Sequence, residues 1–245
     1  MPRYFIHLAY NGSAYHGWQT QPNAKSVQAS LEKALSILMA QKINLIGAGR
    51  TDTGVHASSF YAHFDIARSF TAPDLQQWVY RLNAILDKDI CVYSIFEVAA
   101  DLHARFSALS RTYTYRIHTY KNPFENDFSH FVPFSLDVEA MNRACAILME
   151  YADFTCFSKS HTQTKTNFCK IMHASWSQNN THLLFTIQAD RFLRNMVRAI
   201  VGTLLEIGMH KIEVEAMRTI IGSKNRSEAG MSVPAKALFL SEIAY

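Results

Sequence analysis

The sequence predicts an α+β fold made of two pseudo-duplicated ferredoxin-like halves, each with the split βαβ order of strands and helices. Strand-like and helical patterns follow one another as strand, helix, strand, strand, helix, strand, and the second half repeats that order without repeating the sequence. A chain of 245 residues that is 49% hydrophobic can also bury a large core. We expect halves at 1–107 and 108–245, a largely antiparallel mixed sheet with flanking helices, and a catalytic cleft between the halves.

In the first half, short apolar and aromatic runs bounded by turn residues indicate strands, and apolar residues at a 3.6-residue period indicate helices. Arg3 begins such a run, which ends at an Asn-Gly turn signal. Pro73 falls in the first turn of the second helix, where proline is tolerated, and Ile85 is expected on the buried side of that helix. The predicted strands are 3–10, 42–48, 59–65 and 90–98, and the first predicted helix is 26–40.

The second half shows the same two patterns in the same order. Its longest predicted helix runs from about 192 to 207, with an apolar face that includes Val197 and Leu204. The predicted strands are 111–120, 169–178, 182–190 and 238–243, and the other predicted helices are 137–150 and 213–221.

Composition and charge limit the classes of protein to which this chain can belong. The formal charge of +4 is a mild excess that favours an anionic partner. The four cysteines form no C-x-x-C pair, which argues against a disulfide scaffold or a zinc ribbon. No apolar run reaches the roughly 18 to 20 residues that span a bilayer, and the chain starts with a strand pattern instead of a signal peptide. We therefore expect a cytoplasmic protein that does not associate with membranes.

Segment 47–57 is the strongest candidate for an active site. It places Asp52 and Arg50 in a loop that holds three glycines within eight positions. Glycine gives the backbone freedom and lets a ligand approach closely, and a lone carboxylate can serve as nucleophile, base or metal ligand. The same residues also suit a tight Asp-Thr-Gly turn that has no catalytic role. Taken alone, the segment is compatible with both interpretations.

A cation near Asp52 would favour the charged form of this carboxylate. Arg191, Arg194 and Arg198 are three and four residues apart on the longest predicted helix, so they would share one face. If that face lines a cleft opposite Asp52, it supplies an ion pair and phosphate contacts. Otherwise the three arginines form an ordinary solvated surface.

A strand pattern rich in arginine and tyrosine begins the second half. Alternation along a strand puts Tyr113 and Tyr115 on one face and Arg116 on the other. Such a face can stack nucleobases while arginine binds the nucleic-acid backbone. Both tyrosines are equally compatible with the core of the sheet.

A polar segment, 158–167, has no apolar period and no acidic residue. Its hydroxyl, amide and ammonium groups are donors that suit a phosphate backbone, which needs many modest contacts. A loop of this composition is also typical of a solvated surface, so the segment alone does not identify a binding site.

Several known kinds of site are absent from the sequence pattern. Cys156, His161, Cys169 and His173 have spacings that match no familiar zinc site. The third glycine of a dinucleotide-binding loop and the G-K-[ST] of a nucleoside triphosphate site are both missing. The D-T-G of aspartic proteases occurs once, whereas that mechanism needs two aspartates. We expect no metal and no nucleotide cofactor, and we expect packing or loop roles for His56 and His103.

Short motifs that are typical of one family are spread along nearly the whole chain. Segment 49–57 reads G-R-T-D-T-G-V-H-A. It resembles the signature G-R-T-D-A-G-V-H-A of the tRNA pseudouridine synthase A family, with Thr53 in the place of alanine. Leu102 stands where an aromatic residue is common in the family. The other blocks that resemble the family lie at 10–19, 103–107, 111–115, 153–157 and 196–202.

This resemblance implies an activity and a site. The family isomerises uridine to pseudouridine at positions 38–40, in the anticodon stem-loop of tRNA, without a cofactor or metal, and it acts as a homodimer. Asp52 would be the nucleophile, and Arg198 would pair with Asp52 and hold it charged. Tyr113 would stack on the target base and assist proton removal, and Arg50 would assist in extruding the uridine.

The resemblance also implies residues that contact the tRNA. They belong to the aromatic and basic block that precedes the tyrosine strand and to the polar segment. Arg191 and Arg194 join them if the basic helix face lines the cleft. The residues implied by the resemblance are Leu102, His103, Ala104, Arg105, Phe106, His161, Thr162, Gln163, Thr164 and Lys165.

An alternative from another class is an RNA-binding module on a ferredoxin-like sheet that has lost its chemistry. Asp52 distinguishes the two hypotheses, because only an enzyme has an activity that the substitution Asp52→Ala can abolish. Both hypotheses share tRNA or another RNA as the partner.

Overall fold

Residues 1–159 and 166–245 are described by the computed structural model of this chain. Strands and helices are interspersed along the chain, and most of the strand pairs are antiparallel. The predicted α+β class is therefore confirmed.

The chain divides into two compact units. The first unit comprises Met1–Leu109 together with Leu240–Tyr245, and the second comprises Ser110–Phe239. The predicted domain halves, 1–107 and 108–245, stay a prediction.

Four strands of the first unit pair in the order of a ferredoxin-like fold. β1 (Arg3–Tyr10) pairs antiparallel with β3 (His56–Asp65) on one side and with β4 (Ile90–Val98) on the other. The two-residue strand β2 (Ile46–Gly47) pairs antiparallel with β3. One α-helix separates β1 from β2 in the sequence, and another separates β3 from β4. The resulting order, β4-β1-β3-β2, is the split βαβ arrangement that the sequence predicts.

The two helices of the first unit begin at residues whose side chains cap them. Ser26 accepts a hydrogen bond from the first turn of α1 (Val27–Met39), and Thr71 forms a capping box at the start of α2 (Ala72–Ile85). Both caps satisfy backbone N–H groups that have no partner within the helix. Ile85 is 45% exposed in the last turn of α2, so its expected place on the buried side is wrong.

The predicted strand 42–48 is reduced to β2 because side chains of α1 bind its backbone. Ile43 N–H donates to the Ser36 hydroxyl at 2.9 Å, and Leu45 N–H donates to the Glu32 carboxylate at 2.8 Å. Backbone donors that are already bound in this way do not pair with a neighbouring strand.

The second unit repeats the central strand order of the first. β5 (Ser110–His118) pairs antiparallel with β8 (His182–Ala189), which pairs antiparallel with β7 (Ile171–Asn179). The order β5-β8-β7 corresponds to β1-β3-β2, and helix α3 (Val138–Leu148) takes the place of α1 in the sequence. A two-residue strand, β6 (His130–Phe131), pairs parallel to β5 and was not predicted.

The remaining elements follow β8. Helix α4 (Met196–Gly208) is nearly all buried, and helix α5 (Ala216–Ser223) is buried on one side. The last strand, β9 (Leu238–Ala244), begins in the second unit and ends in the first.

The longest predicted helix starts four residues later than expected. Asn195 precedes α4 with φ +67°, a left-handed conformation that a right-handed helix cannot continue through. Arg191 and Arg194 therefore lie before the helix, and only Arg198 lies on it. The predicted face of three arginines on one helix is wrong.

Candidate active site

The loop that carries Asp52 joins β2 to β3 and contains a tight turn. Val55 N–H donates to the Asp52 carbonyl at 3.1 Å, and Gly54 has φ +77° inside the turn. Turns that need a positive φ at their third residue take glycine there, since it has no Cβ to clash. The side chain of Asp52 is half-buried and that of Arg50 is exposed. The turn thus exists and presents the carboxylate from its first residue.

A second loop of the first unit holds the Asp52 loop by close backbone contact. Gly17 has φ +86°, and a Cβ at this position would lie 2.2 Å from the Thr51 carbonyl oxygen. Gly54 N–H donates to the Tyr15 carbonyl at 3.3 Å, and the hydroxyls of Tyr10 and Thr51 are 2.9 Å apart in the buried interior. The residue before Asp52 is therefore fixed on two sides.

His56 completes this support. Its side chain is 1% exposed, and its Nδ1 accepts the Gly12 N–H at 3.0 Å. An Nδ1 that accepts an N–H carries no proton itself, so this ring is oriented by the contact. The sequence predicts a packing or loop role for His56, and its buried position at the first residue of β3 fits a packing role.

The predicted tRNA-binding block of the first unit forms a separate exposed loop. Phe106 is 77% exposed, and the Arg105 guanidinium lies 5.6 Å from the centre of its ring. Leu102 and His103 are half-buried, and Ala104 is fully buried. The loop therefore offers solvent one cation and one aromatic ring.

The two tyrosines of β5 have different surroundings. Tyr115 is fully buried, and its hydroxyl donates to the Pro234 carbonyl at 3.1 Å. Burial raises the pKa of Tyr115 well above its usual range, so it stays a neutral core residue. Tyr113 is half-buried and meets the ring of Phe192 edge-to-face, with 5.1 Å between ring centres. Of the two, only Tyr113 has access to solvent.

Arg198 lies in the first turn of α4, held by the backbone near β9. Its Nε donates to the Val233 carbonyl at 2.6 Å, and Val233 N–H donates back to the Arg198 carbonyl at 3.2 Å. A cation in the first turn of a helix is electrostatically unfavourable, since the positive end of the helix dipole lies there. The two hydrogen bonds with Val233 thus hold the Arg198 cation in the first turn of α4, although a positive charge there does not stabilise the helix.

The sequence did not indicate the residues that fix the start of α4. Asn195 Nδ2 donates to the Ser232 hydroxyl at 2.6 Å, and the Arg226 guanidinium donates to the same hydroxyl at 2.9 Å. Arg226 also donates to the carbonyls of Ala229 and Gly230. These residues carry no recognisable motif, so only the folded structure identifies their role.

The other predicted tRNA contacts lie in the second unit. The backbone N–H of Arg191 donates to Asp190 at 2.7 Å, and the Arg194 carbonyl accepts from Lys159 N–H at 3.1 Å. The Arg194 side chain is exposed and that of Arg191 is half-buried. The residues His161, Thr162, Gln163, Thr164 and Lys165 lie outside the described part of the chain.

Residues 1–159 and 166–245 contain neither a cluster of side chains placed to hold a metal ion nor a membrane-spanning helix. No group of three or more His, Cys, Asp or Glu side chains in that part of the chain is arranged to hold a metal ion. No helix there is long and apolar enough to cross a membrane.

Known proteins are similar to this chain over its whole length. A family model described as tRNA pseudouridine synthase matches residues 144–245. A protein named tRNA pseudouridine synthase A from Parabacteroides distasonis is 52% identical over 245 residues, which is 100% of this chain and 96% of the relative. The protein of that name from Bacteroides fragilis is 52% identical over 99% of this chain and 96% of its own length, and that from Porphyromonas gingivalis is 49% identical over 100% and 98%. The chain belongs to the tRNA pseudouridine synthase A family.

Proposed function

We propose that this protein isomerises uridine to pseudouridine at positions 38–40, in the anticodon stem-loop of tRNA. Membership of the family supplies the class of reaction and the class of substrate. The position of the Asp52 carboxylate is the observation that assigns this reaction to a site in the protein. A half-buried carboxylate stands at the first residue of a turn that neighbouring backbone fixes in place.

In the proposed reaction, Asp52 is the nucleophile and attacks the target uridine at the base or at the ribose. The N1–C1′ glycosidic bond breaks, the uracil turns, and a C5–C1′ bond forms. C5 then loses its proton, N1 gains one, and the bond to Asp52 is broken again. The product has the same atoms as the substrate, so the reaction needs no oxidant, reductant or hydrolytic water.

Three other residues are proposed to assist Asp52. Tyr113 stacks on the target base and helps to remove the C5 proton, and its partial exposure on β5 supports this role. Arg198 is the cation that pairs with Asp52, and two backbone contacts fix the position of this arginine. Arg50, exposed two residues before Asp52, assists in extruding the uridine from its stem.

The remaining residues of the proposed site bind the tRNA. Arg105 and Phe106 are the exposed side chains of their loop, and Arg194 is exposed in the second unit. We extend the proposal to a homodimer in the cytoplasm, which sedimentation equilibrium and cell fractionation would test. The full proposed set is Leu102, His103, Ala104, Arg105, Phe106, His161, Thr162, Gln163, Thr164, Lys165, Arg191 and Arg194.

Release of tritium from tRNA labelled with [5-³H]uridine tests the proposed function. Only rearrangement through C5 frees this label, so the wild-type protein should release it from unmodified tRNA that carries uridine at positions 38–40. The matched control is the same tRNA with cytidine at those three positions, from which no label should be released. Folded protein that releases no tritium from the first substrate would contradict the proposal. It would favour an RNA-binding module without catalysis.

A further inference from the structure

The exposed loop 102–107 carries Arg105 and Phe106 on a backbone whose N–H groups all have hydrogen-bond acceptors. All six backbone N–H groups of the loop donate a hydrogen bond within the first unit. Hydrogen bonds from these N–H groups restrict the loop backbone, so the Cα atoms that carry the exposed side chains are nearly fixed in position. Leu102 N–H donates to the Ala99 carbonyl, His103 N–H to the Ser107 hydroxyl, and Ala104 N–H to His63 Nδ1. The N–H groups of Arg105 and Phe106 both donate to His103 Nδ1, and Ser107 N–H donates to the His103 carbonyl.

Two side chains from distant parts of the sequence hold the centre of this loop. Ala104 N–H donates to His63 Nδ1 at 3.1 Å, and the Tyr245 hydroxyl donates to the Ala104 carbonyl at 2.7 Å. The tyrosine ring itself packs edge-to-face against Phe5, with 5.3 Å between ring centres. The peptide groups on both sides of the Ala104 Cα are thus bound by side chains that lie on the sheet.

His63 can accept this hydrogen bond because its ring stays neutral. It is 1% exposed, and burial lowers its pKa to about 4, with the charges of Arg3 and His103 acting in the same direction. At neutral pH the proton of the ring therefore lies on Nε2, which has no hydrogen-bond partner among residues 1–159 and 166–245, and Nδ1 is the acceptor.

We propose that Tyr245 and His63 are positioning residues that fix the Arg105–Phe106 pair for stacking on an unpaired nucleobase of the substrate tRNA. This inference rests on the proposed function. An exposed aromatic ring offers its face to any base, and the guanidinium beside it can contact the adjacent phosphate. A loop that is ordered before binding loses less entropy on complex formation, so Tyr245 and His63 improve tRNA binding without touching tRNA.

The first experiment removes one oxygen atom from the loop support. Tyr245→Phe should raise KM for tRNA by about three- to tenfold, which corresponds to one hydrogen bond, and should leave kcat within about twofold. The matched control is Tyr4→Phe. The Tyr4 hydroxyl accepts Phe70 N–H at 3.1 Å and donates to the Glu97 carboxylate at 3.4 Å, and both partners belong to the first unit and lie outside the loop sequence. This control should lose a similar amount of thermal stability and keep the wild-type KM.

The second experiment asks whether Tyr245 acts through Phe106. Phe106→Ala should weaken tRNA binding by about tenfold, in line with the loss of one stacked base. Adding Tyr245→Phe to Phe106→Ala should then change KM little, because the ring that the tyrosine positions is gone. Additive effects of the two substitutions would overturn the proposal.

The third experiment separates the acceptor at His63 from the bulk of its ring. Asn places an oxygen near the position of Nδ1, whereas Leu fills similar space without an acceptor. His63→Asn should keep KM within about twofold of wild type, and His63→Leu should raise it as Tyr245→Phe does. A Tyr245→Phe protein with the KM of wild type, or a KM change equal to that of Tyr4→Phe, contradicts the positioning role. A wild-type protein that releases no tritium contradicts the proposed function instead, and the dissociation constants of the same variants for tRNA then decide the positioning role.

Discussion

The surrounding structure holds Asp52 and Arg198 in place in two different ways. The Asp52 loop of the first unit is held by backbone contacts so close that Gly17 has no room for a Cβ. The start of α4 in the second unit is held by side chains, since Asn195 and Arg226 both donate to the Ser232 hydroxyl. The first kind of support depends on the absence of side chains, and the second depends on their chemistry. A substitution should therefore have a severe effect in the first region and a graded effect in the second.

The largest effect is expected for Gly17→Ala. The added Cβ would lie 2.2 Å from the Thr51 carbonyl oxygen, and φ +86° is unfavourable for alanine, so the Asp52 loop must move. We expect a loss of about 3 kcal/mol in the free energy of unfolding. Turnover should fall by more than about hundredfold, because misplaced catalytic groups cost that much.

Urea unfolding and tritium release measure these two effects. Gly49→Ala is the control for stability, since a Cβ there would meet no atom within 4 Å in the part of the chain that the structure describes, its two chain neighbours apart. It should unfold as the wild type does. If Gly17→Ala has wild-type stability and turnover, the backbone support of the Asp52 loop is not needed.

The next largest effect is expected for Arg198→Ala. Removal of the charge should lower kcat by about hundredfold, a usual cost for a lost electrostatic partner. The dissociation constant for tRNA should stay within a few-fold. Arg198→Lys keeps the charge but loses the planar group whose Nε donates to Val233, so it should recover part of kcat. Normal kcat in Arg198→Ala would show that this arginine does not support Asp52.

A smaller effect is expected at Asn195. Asn195→Ala removes the contact with Ser232 and places alanine at φ +67°, so the free energy of unfolding should fall by about 2 kcal/mol. Asn195→Gly loses the same contact without the backbone strain and should be less destabilised. Chemical denaturation of the three proteins measures the difference. Equal stability of the Ala and Gly variants would show that the left-handed backbone carries no strain.

The smallest expected effect is the loss in the free energy of unfolding at acid pH. Its size should differ between the buried histidines of the two units. The pKa of His63 is lowered to about 4, first by burial and then by Arg3 and His103, while Asp65 acts against them. The unfolded chain therefore takes up a proton near pH 6.5, before the folded protein does, and the free energy of unfolding falls as pH falls from 6.5 towards 4. By pH 5.5 the loss at His63 should be about 1.4 kcal/mol.

His118 of the second unit provides the comparison. Burial lowers its pKa, but the Glu125 carboxylate, 3.9 Å away, raises it again, and His182 and Lys236 lower it. Urea unfolding at pH 7.5 and 5.5 should show a smaller acid effect in His63→Asn than in wild type. His118→Asn should change the acid effect less. The opposite order would contradict this account of the two histidines.

The Asp52 loop could be predicted because all of its signal is local. Glycine at a positive φ and aspartate at the start of a turn are both visible within a few residues, and the family motif adds the chemistry. The order of strands and helices along the chain could be predicted from hydrophobic periodicity, because periodicity is also a local signal. The strand predicted at 42–48 was too long because Ser36 and Glu32 compete for its backbone donors, which periodicity does not reveal.

The start of α4 could not be predicted from local pattern. Asn195 is polar and fits the exposed side of a helix, so the apolar period continues through it. Its left-handed backbone is accompanied by a contact with Ser232, which is 37 residues away in the sequence. The positions of Tyr245 and His63 beside Ala104 depend on the sheet in the same way, since they join residues 141 and 41 positions apart.

Asp52→Ala tests the central claim most directly. Tritium release and the dissociation constant for the same labelled tRNA should be measured on one preparation of wild type and variant. We predict that the variant releases no tritium above background while it binds tRNA within a few-fold of wild type. Tritium release by Asp52→Ala at a rate close to that of wild type would show that Asp52 is not the nucleophile.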